Sequence, residues 1–449
     1  MRAWRMRVDV KQIQELIEGN GIRTVIVAGT DPAGVLRGKR LTVPYFFTAL
    51  EQGLNFAWFF MMTTPVDDPL PGLFDTGIPD LKGVPDLNTF RLAPWEPDAA
   101  IVLMDWCWSD GSASELCPRT ELKRQQARLE KLGLEELFAL ELEFFIMPKP
   151  ITEIRRGGWN DIALGAEDIH CYSIYEGHFH EPLVAQIRDY FNDEVEACIP
   201  EWGQGQFEIN LHRADALSMA DTTVLFKTAI KQLAAKAGSS VTFMAKWHES
   251  YSGSSGHIHQ SLIDTRSGES AFYDEAQPQR MSKLFAHYTA GQLETLRETC
   301  LFLAPFVNSY KRFQEDSFAG TTLTWGVDNR TTALRVINAG EGKCRLENRV
   351  GGADLNPYTA LAACLGSGLR GIEMKLALRP VSEGNAYGAA ENVPLSLGEA
   401  IDVAERSAAT REVLSPAYVD NLLKIARFEM GVFNTTVTDL ERRRYFEMS

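Results

Sequence analysis

Apolar positions along this chain recur in two periods, and the organisation changes where one gives way to the other. Up to about residue 108 the runs are short and bounded by turn residues. Thr24–Ala28, Arg91–Ala93 and Ala100–Met104 read as strands of a small sheet. Helical spacing over Val10–Glu18 precedes them, and Asp75–Thr89, rich in Gly, Pro and Asp, reads as a loop. The stretch Ser109-Asp-Gly-Ser-Ala-Ser114 then interrupts the pattern. Beyond it Pro118 opens a helix over Arg119–Leu132 that Gly133 closes, because a proline in the first turn sacrifices no hydrogen bond. The spacing predicts further helices over Leu183–Cys198, Ala214–Ala237, Met281–Cys300, Tyr358–Ala377 and Pro416–Met430. A boundary near residue 113 divides a small domain (1–113) from a large α+β one (114–449).

Four segments of the large domain carry ionisable residues at every second position. They are Leu140-Glu141-Leu142-Glu143-Phe144, Phe207-Glu208-Ile209-Asn210-Leu211-His212, His257-Ile258-His259 and Arg345-Leu346-Glu347-Asn348-Arg349. The two-residue period of a strand places each polar set on one face and its apolar partners on the other. A merely wet face would mix in Lys, Thr and Ser. These faces use Glu, His, Arg and Asn, the types that hold metals and phosphate. Carboxylates with an occasional imidazole suit Mg²⁺ or Mn²⁺. Five arginines (Arg312, Arg330, Arg335, Arg345, Arg349) follow where the acids thin out, and guanidinium forks match phosphate and carboxylate oxygens. Acids, cations and arginines together are the equipment of phosphoryl transfer.

Composition narrows the partners. With 45 Lys+Arg against 60 Asp+Glu the net charge is −15, which argues against coating nucleic acid or a membrane surface. The longest charge-free run, Gln52 to Val66, contains Pro65 and falls short of the ~18 residues a membrane span needs. Met1–Arg7 leads into Asp9 and Lys11 with no apolar core, so no signal peptide is expected and the cytoplasm is the expected compartment. Seven scattered cysteines without a C-x-x-C pair read as thiols, not as a disulfide frame or a zinc site. Gly366-Ser-Gly368-Leu-Arg-Gly371 matches a dinucleotide fingerprint but sits inside a helical run, which points to close helix packing. His178-Phe-His180 reads as a surface loop.

The motifs resemble the glutamine synthetase family. The resemblance rests on Glu141-Leu-Glu143-Phe-Phe, Gly203-Gln-Gly-Gln-Phe-Glu208 and Gly253-Ser-Ser-Gly-His257-Ile-His259. It continues through Asn308-Ser-Tyr-Lys-Arg312, Asn329-Arg330 with Arg335, Arg345-Leu-Glu347-Asn-Arg349, and Asp354-Leu-Asn-Pro-Tyr358. Weaker matches are Asp31-x2-Gly-x2-Arg-Gly-Lys39 and Asp80-x5-Asp86-x2-Thr89. It implies a β-grasp-like N-terminal domain and a catalytic domain whose curved antiparallel sheet forms a funnel. It also implies that ATP phosphorylates glutamate's γ-carboxylate and that an amine displaces the phosphate. Position by position, Glu143, Glu201 and Glu208 would hold one metal, and Glu141, His257 and Glu347 the other. Arg312 and Arg349, beside the Gly253 loop, would clamp glutamate. Arg330 would meet the transferring phosphoryl group, Arg335 and Arg345 the ATP phosphates, and His259 would lie near the nucleotide. The resemblance also implies a homo-oligomeric ring, hexamer or dodecamer, in which the Asp80–Thr89 loop completes a neighbour's funnel.

Departures from the family pattern bear on the amine. Ammonia-using members carry a flap glutamate where this chain has Phe318, and an asparagine where it has Ser252. Asp67, Asp68 and Asp75 are all candidates for the ammonium-site aspartate. The expectation is therefore a ligase joining glutamate to an organic mono- or polyamine, with Phe318 in the amine pocket. The alternative is a glutamate–ammonia ligase whose flap uses Glu315 or Asp316. An inactive structural member is disfavoured, because all six ligand positions hold Glu or His and unpaired buried carboxylates are costly.

Overall fold

The computed structural model describes residues 9–159, 162–315, 317–388 and 391–448. Six strands form the first sheet: β1 (Thr24–Thr30), β2 (Leu36–Thr42), β3 (Leu54–Ala57), β4 (Asp80–Pro85), β5 (Arg91–Leu92) and β6 (Ala99–Cys107). Their order is β2-β1-β6-β4-β3, with β5 also on β6. Helices α1 (Val10–Gly19) and α2 (Val43–Gln52) accompany it, and a capping box between Asp9 and Gln12 starts the first. The continuous apolar run of β6 is explained by burial on both faces. Ala100, Val102, Met104 and Trp106 enter a core with Ile13, Val25 and Phe46, whereas Ile101 and Leu103 face the main core of the molecule.

After α3 (Pro118–Glu130) comes the sheet that carries the acids: β7 (Leu134–Met147), β8 (Val195–Pro200), β9 (Gln206–Leu211), β10 (Ser240–Thr242), β11 (Gly256–Asp264), β12 (Trp325–Val327), β13 (Leu334–Asn338) and β14 (Cys344–Asn348). Its order is β12-β13-β14-β11-β7-β9-β8, with β10 also on β7, and it is antiparallel except between β12 and β13. The curled sheet with surrounding helices is the expected α+β arrangement. Around it lie α4 (Ile151–Arg156), α5 (Ile174–Tyr190), α6 (Ala216–Lys236), α7 (Lys283–Leu303), α8 (Pro357–Met374), α9 (Leu397–Arg406), α10 (Ala408–Val413), α11 (Pro416–Thr435) and α12 (Asp439–Tyr445). Leu140, Leu142, Phe144, Ile209, Ile258, Leu346 and Val336 send their side chains into the core with α6, α7 and α8, which leaves the opposite face to the ionisable residues.

Three sequence expectations need correction. Asp75–Thr89 is not a loop throughout, since β4 pairs there with β3 and β6. Its glycine is what the packing requires: a Cβ on Gly83 would lie 2.6 Å from Met104 Sδ. Helix α5 begins at Ile174, not Leu183, because it accommodates Pro182, and Val195–Pro200 is strand, not helix. His178 and His180 accordingly lie on α5 and not in a loop. The glycine fingerprint does prove to be helix packing. A Cβ on Gly368 would lie 2.0 Å from the Tyr288 ring, and one on Gly371 would lie 2.1 Å from His287 O. Among the described residues no helix is long and apolar enough to cross a membrane.

Buried polar contacts join the two sheets. Arg119 on α3 grips both oxygens of Asp221 on α6 (3.0 and 2.9 Å) while also holding Asp105 (2.7 Å) and Asp86 (2.8 Å) of the first sheet. Tyr358 on α8 donates to Asp221 as well. Asn356 donates to the Pro32 carbonyl, Asn421 to that of Met61, and Trp95 stacks on Phe191 at 5.6 Å.

Candidate active site

Strand register assembles the candidate residues into one ladder. His257 on β11 faces Glu141 on β7, and Glu208 on β9 faces Glu143. On the other side His259 faces Glu347 on β14, which in turn faces Arg335 on β13. Because side chains alternate, one set of pairings brings all these groups to the same face.

Two groups of potential ligands result, each with its donor atoms within 4.8 Å of one another: Glu141, His257 and Glu347, and Glu143, Glu208 and His257. His257 belongs to both. Its Nδ1 lies 3.5 Å from Glu141 and 3.6 Å from Glu347, while its Nε2 is buried without a hydrogen-bond partner. Burial, with Arg349 nearby, pushes its pKa down to about 4, so the imidazole is neutral and offers a lone pair. Burial and the Glu201 charge raise Glu143 to about 7. Burial and the charges of Glu141, Glu143 and Glu201 raise Glu208. An all-oxygen and imidazole donor set with an orphaned nitrogen and crowded carboxylates fits a hard divalent cation. Glu201 stands nearer the rim, where it accepts from the Trp202 amide and lies 3.9 Å from Cys171 Sγ.

Cations surround this ladder unequally. Despite its burial, Glu347 is held down to about 2 by Arg349, His259 and His257. It pairs through one oxygen with Arg335 (2.9 Å) and through the other with Arg349. Glu141, half-buried, is held well below the usual carboxylate range by His257 and His259, the latter at 3.0 Å. Arg345 Nε reaches His259 Nδ1 at 3.3 Å. Arg330 is exposed, and its charge is felt at Glu201.

Arg312 differs from the others. Only 2% exposed, it donates to the carbonyls of Arg349 (3.0 Å), Val350 (3.4 Å) and Gly351 (2.6 Å), and its Nε has no partner. Among the described residues no carboxylate stands within ion-pair distance of it, and burial lowers its pKa to about 10. A fixed, buried and underpaired guanidinium suits an incoming carboxylate. The loop beside it must be glycine, because a Cβ on Gly253 would lie 2.5 Å from Arg312 Cγ.

Phe318 lies at the rim with φ +55° and is 48% exposed, and its carbonyl accepts from Arg349 Nη2 at 3.3 Å. Glu315 is exposed, and Asp316 lies outside the described residues. Asp67 pairs with Arg37 (2.7 Å) and Asp68 accepts from Thr64 (3.2 Å), while Asp75 is exposed. Sequence reasoning missed Tyr172, Cys171 and Trp202, which stand beside Glu201. No periodicity marks them, since they come from loops.

Comparison with known proteins agrees with this geometry. The family model "Glutamine synthetase, catalytic domain" matches residues 115–445. A glutamate–isopropylamine ligase from a Pseudomonas species is 35% identical over 98% of both chains. The gamma-glutamylethanolamide synthetase GlnA4 of Streptomyces coelicolor is 36% identical over 98% of this chain and 96% of its own. The solved structure of apo GmaS superposes with a TM-score of 0.85 at 26% identity, covering 98% of this chain and 99% of that one. From the ladder of acids to the arginines around it, the chain belongs to the glutamine synthetase family.

Proposed function

We propose that this protein is an ATP-dependent ligase that forms a γ-glutamyl amide from glutamate and an organic amine. The observation that carries it is the half-exposed Phe318 at the rim of the acid ladder, where an ammonia-using enzyme would carry a carboxylate. The names of the two relatives, both ligases of glutamate with organic amines, support the same reading.

In this reading Arg312 and Arg349 hold glutamate beside Gly253, while Arg335, Arg345 and His259 hold the nucleotide. Glu141, His257 and Glu347 would bind one divalent cation, and Glu143, Glu201 and Glu208 a second. Bound Mg²⁺ or Mn²⁺ would neutralise charge on the phosphates and the γ-carboxylate as they approach. A γ-carboxylate oxygen attacks the terminal phosphorus and ADP leaves. The amine nitrogen, having lost its extra proton, then attacks the γ-carbon, and phosphate departs with a second proton from that nitrogen, leaving the amide. Arg330 faces the charge that develops on the transferring group. The funnel walls keep water from the γ-glutamyl phosphate. The division near residue 113, with the family model starting at 115, separates a β-grasp-like unit from the catalytic one. Subunits assemble into a homo-oligomeric ring, hexamer or dodecamer, with sites between neighbours.

The test is phosphate release from ATP and glutamate, screened against ammonium, monoamines, diamines and polyamines. An organic amine should give the highest kcat/KM. Preference for ammonium over every amine would instead establish a glutamate–ammonia ligase.

A further inference from the structure

Two aromatic side chains besides Phe318 stand at the rim of the same site, and neither is placed there by chance of packing. Tyr172 is 66% exposed with φ +60°, an uncommon backbone for a bulky residue. Its N–H donates to the Pro200 carbonyl at 3.0 Å, so the segment lies along the end of β8. Its phenol, raised by partial burial, also feels the charges of Glu201, Glu208 and Arg330. Trp202 follows Glu201 directly and is 57% exposed. Its amide donates to the Glu201 carboxylate, and its carbonyl accepts from Ser252 Oγ. The loop cannot relax inward, because a Cβ on the next residue, Gly203, would lie 2.6 Å from Gln206 Oε1 and 2.9 Å from Phe145 Cζ. The indole is therefore presented by a backbone pinned on both sides. Backbone strain and costly exposure of large rings concentrate where a ligand is handled.

The geometry points to Trp202 and Tyr172 as specificity-determining residues that, with Phe318, recognise the hydrocarbon part of a short primary alkylamine. The inference rests on the organic-amine reading above and names the class of amine. Aromatic rings beside the carboxylates offer an alkylammonium both apolar contact and ring faces for its charge, whereas ammonium gains only the charge.

The experiment compares wild type with Trp202→Ala, Tyr172→Ala and the conservative Trp202→Phe. It measures kcat and KM for ethylamine, isopropylamine, putrescine and ammonium, and KM for glutamate and ATP. The alkylamine-to-ammonium ratio of kcat/KM should fall about tenfold or more in each alanine variant, chiefly through the amine KM, as expected for loss of an apolar contact. Trp202→Phe should restore most of it, and the glutamate and ATP KM values should stay within about twofold. Parallel losses for alkylamine and ammonium, or no loss, overturn the assignment while the organic-amine reading stands. Putrescine preferred over the monoamines in wild type overturns the class named here. A wild-type preference for ammonium overturns that reading and the assignment together.

Discussion

Glu143 and Glu208 show how single residues couple this site to pH. Both carboxylates titrate above their ordinary value in the folded chain, Glu143 near 7 and Glu208 higher still. A raised acid binds its proton more tightly folded than unfolded. The stabilisation is therefore complete below about pH 4.5 and is lost as pH rises through the folded values. Metal-free protein should accordingly lose thermal stability between about pH 5 and 9. The Tm increase on adding Mg²⁺ should be larger at pH 8.5 than at pH 6, as differential scanning fluorimetry would show. A Mg²⁺ effect independent of pH would mean that these carboxylates do not bind it. Gly253→Ala is a second residue-scale prediction. Its Cβ would lie 2.5 Å from Arg312 Cγ and 2.9 Å from the Ala245 carbonyl, so Arg312 must move. The KM for glutamate should rise at least tenfold, with the KM for ATP little changed. At this scale the ladder was legible, because alternation alone puts Glu141, Glu143, Glu208, His257 and Glu347 on one face. Tyr172 and Trp202 were not, since loop residues follow no period and their placement depends on contacts such as Ser252 with Trp202.

Elements were legible where a long period repeats and illegible where chemistry imitates a turn. Helices α6, α7, α8 and α11 start close to where spacing and capping place them. Strand β4 reads as a loop because Asp80, Gly83 and Pro85 are turn formers, yet β3 and β6 pair with it from either side and outweigh local propensity. Pro182 misled in the opposite sense, because α5 continues through it. The α7–α8 contact gives a prediction of its own. A Cβ on Gly291 would lie 2.2 Å from Ser367 O and 2.6 Å from Gly371 N, backbone atoms that cannot step aside. Gly291→Ala should cost at least about 1–3 kcal/mol in urea unfolding, as overpacked cores do. Stability equal to wild type would show that the helices can separate.

On the scale of the molecule, Arg119 joins the two sheets. Replacing it with methionine leaves Asp86, Asp105 and Asp221 facing one another without it, a loss of about 3–5 kcal/mol for a buried ionic group. Thermal denaturation should show one cooperative transition at lower temperature, and Asp221→Asn should soften the loss in the double variant. Additive losses would mean that the pair does not interact. Assembly is tested separately, by light scattering at assay concentration, where an active monomer would contradict the ring. That Asp86 serves Arg119 was not legible in the sequence, since its partner lies on helix α3, outside the sheet.

The ties between the sheets also set an order in time. Asp86 and Asp105 leave the ribosome shortly before Arg119, but Asp221 and Tyr358 arrive much later, and Asn421, which caps the Met61 carbonyl, comes near the end. Ile101 and Leu103 likewise belong to the main core, most of whose members come later in the chain. The first sheet can pair its strands early, yet its outer face stays uncovered until most of the chain has been synthesised. Early synthesis therefore yields an unfinished platform, and the final helices close it.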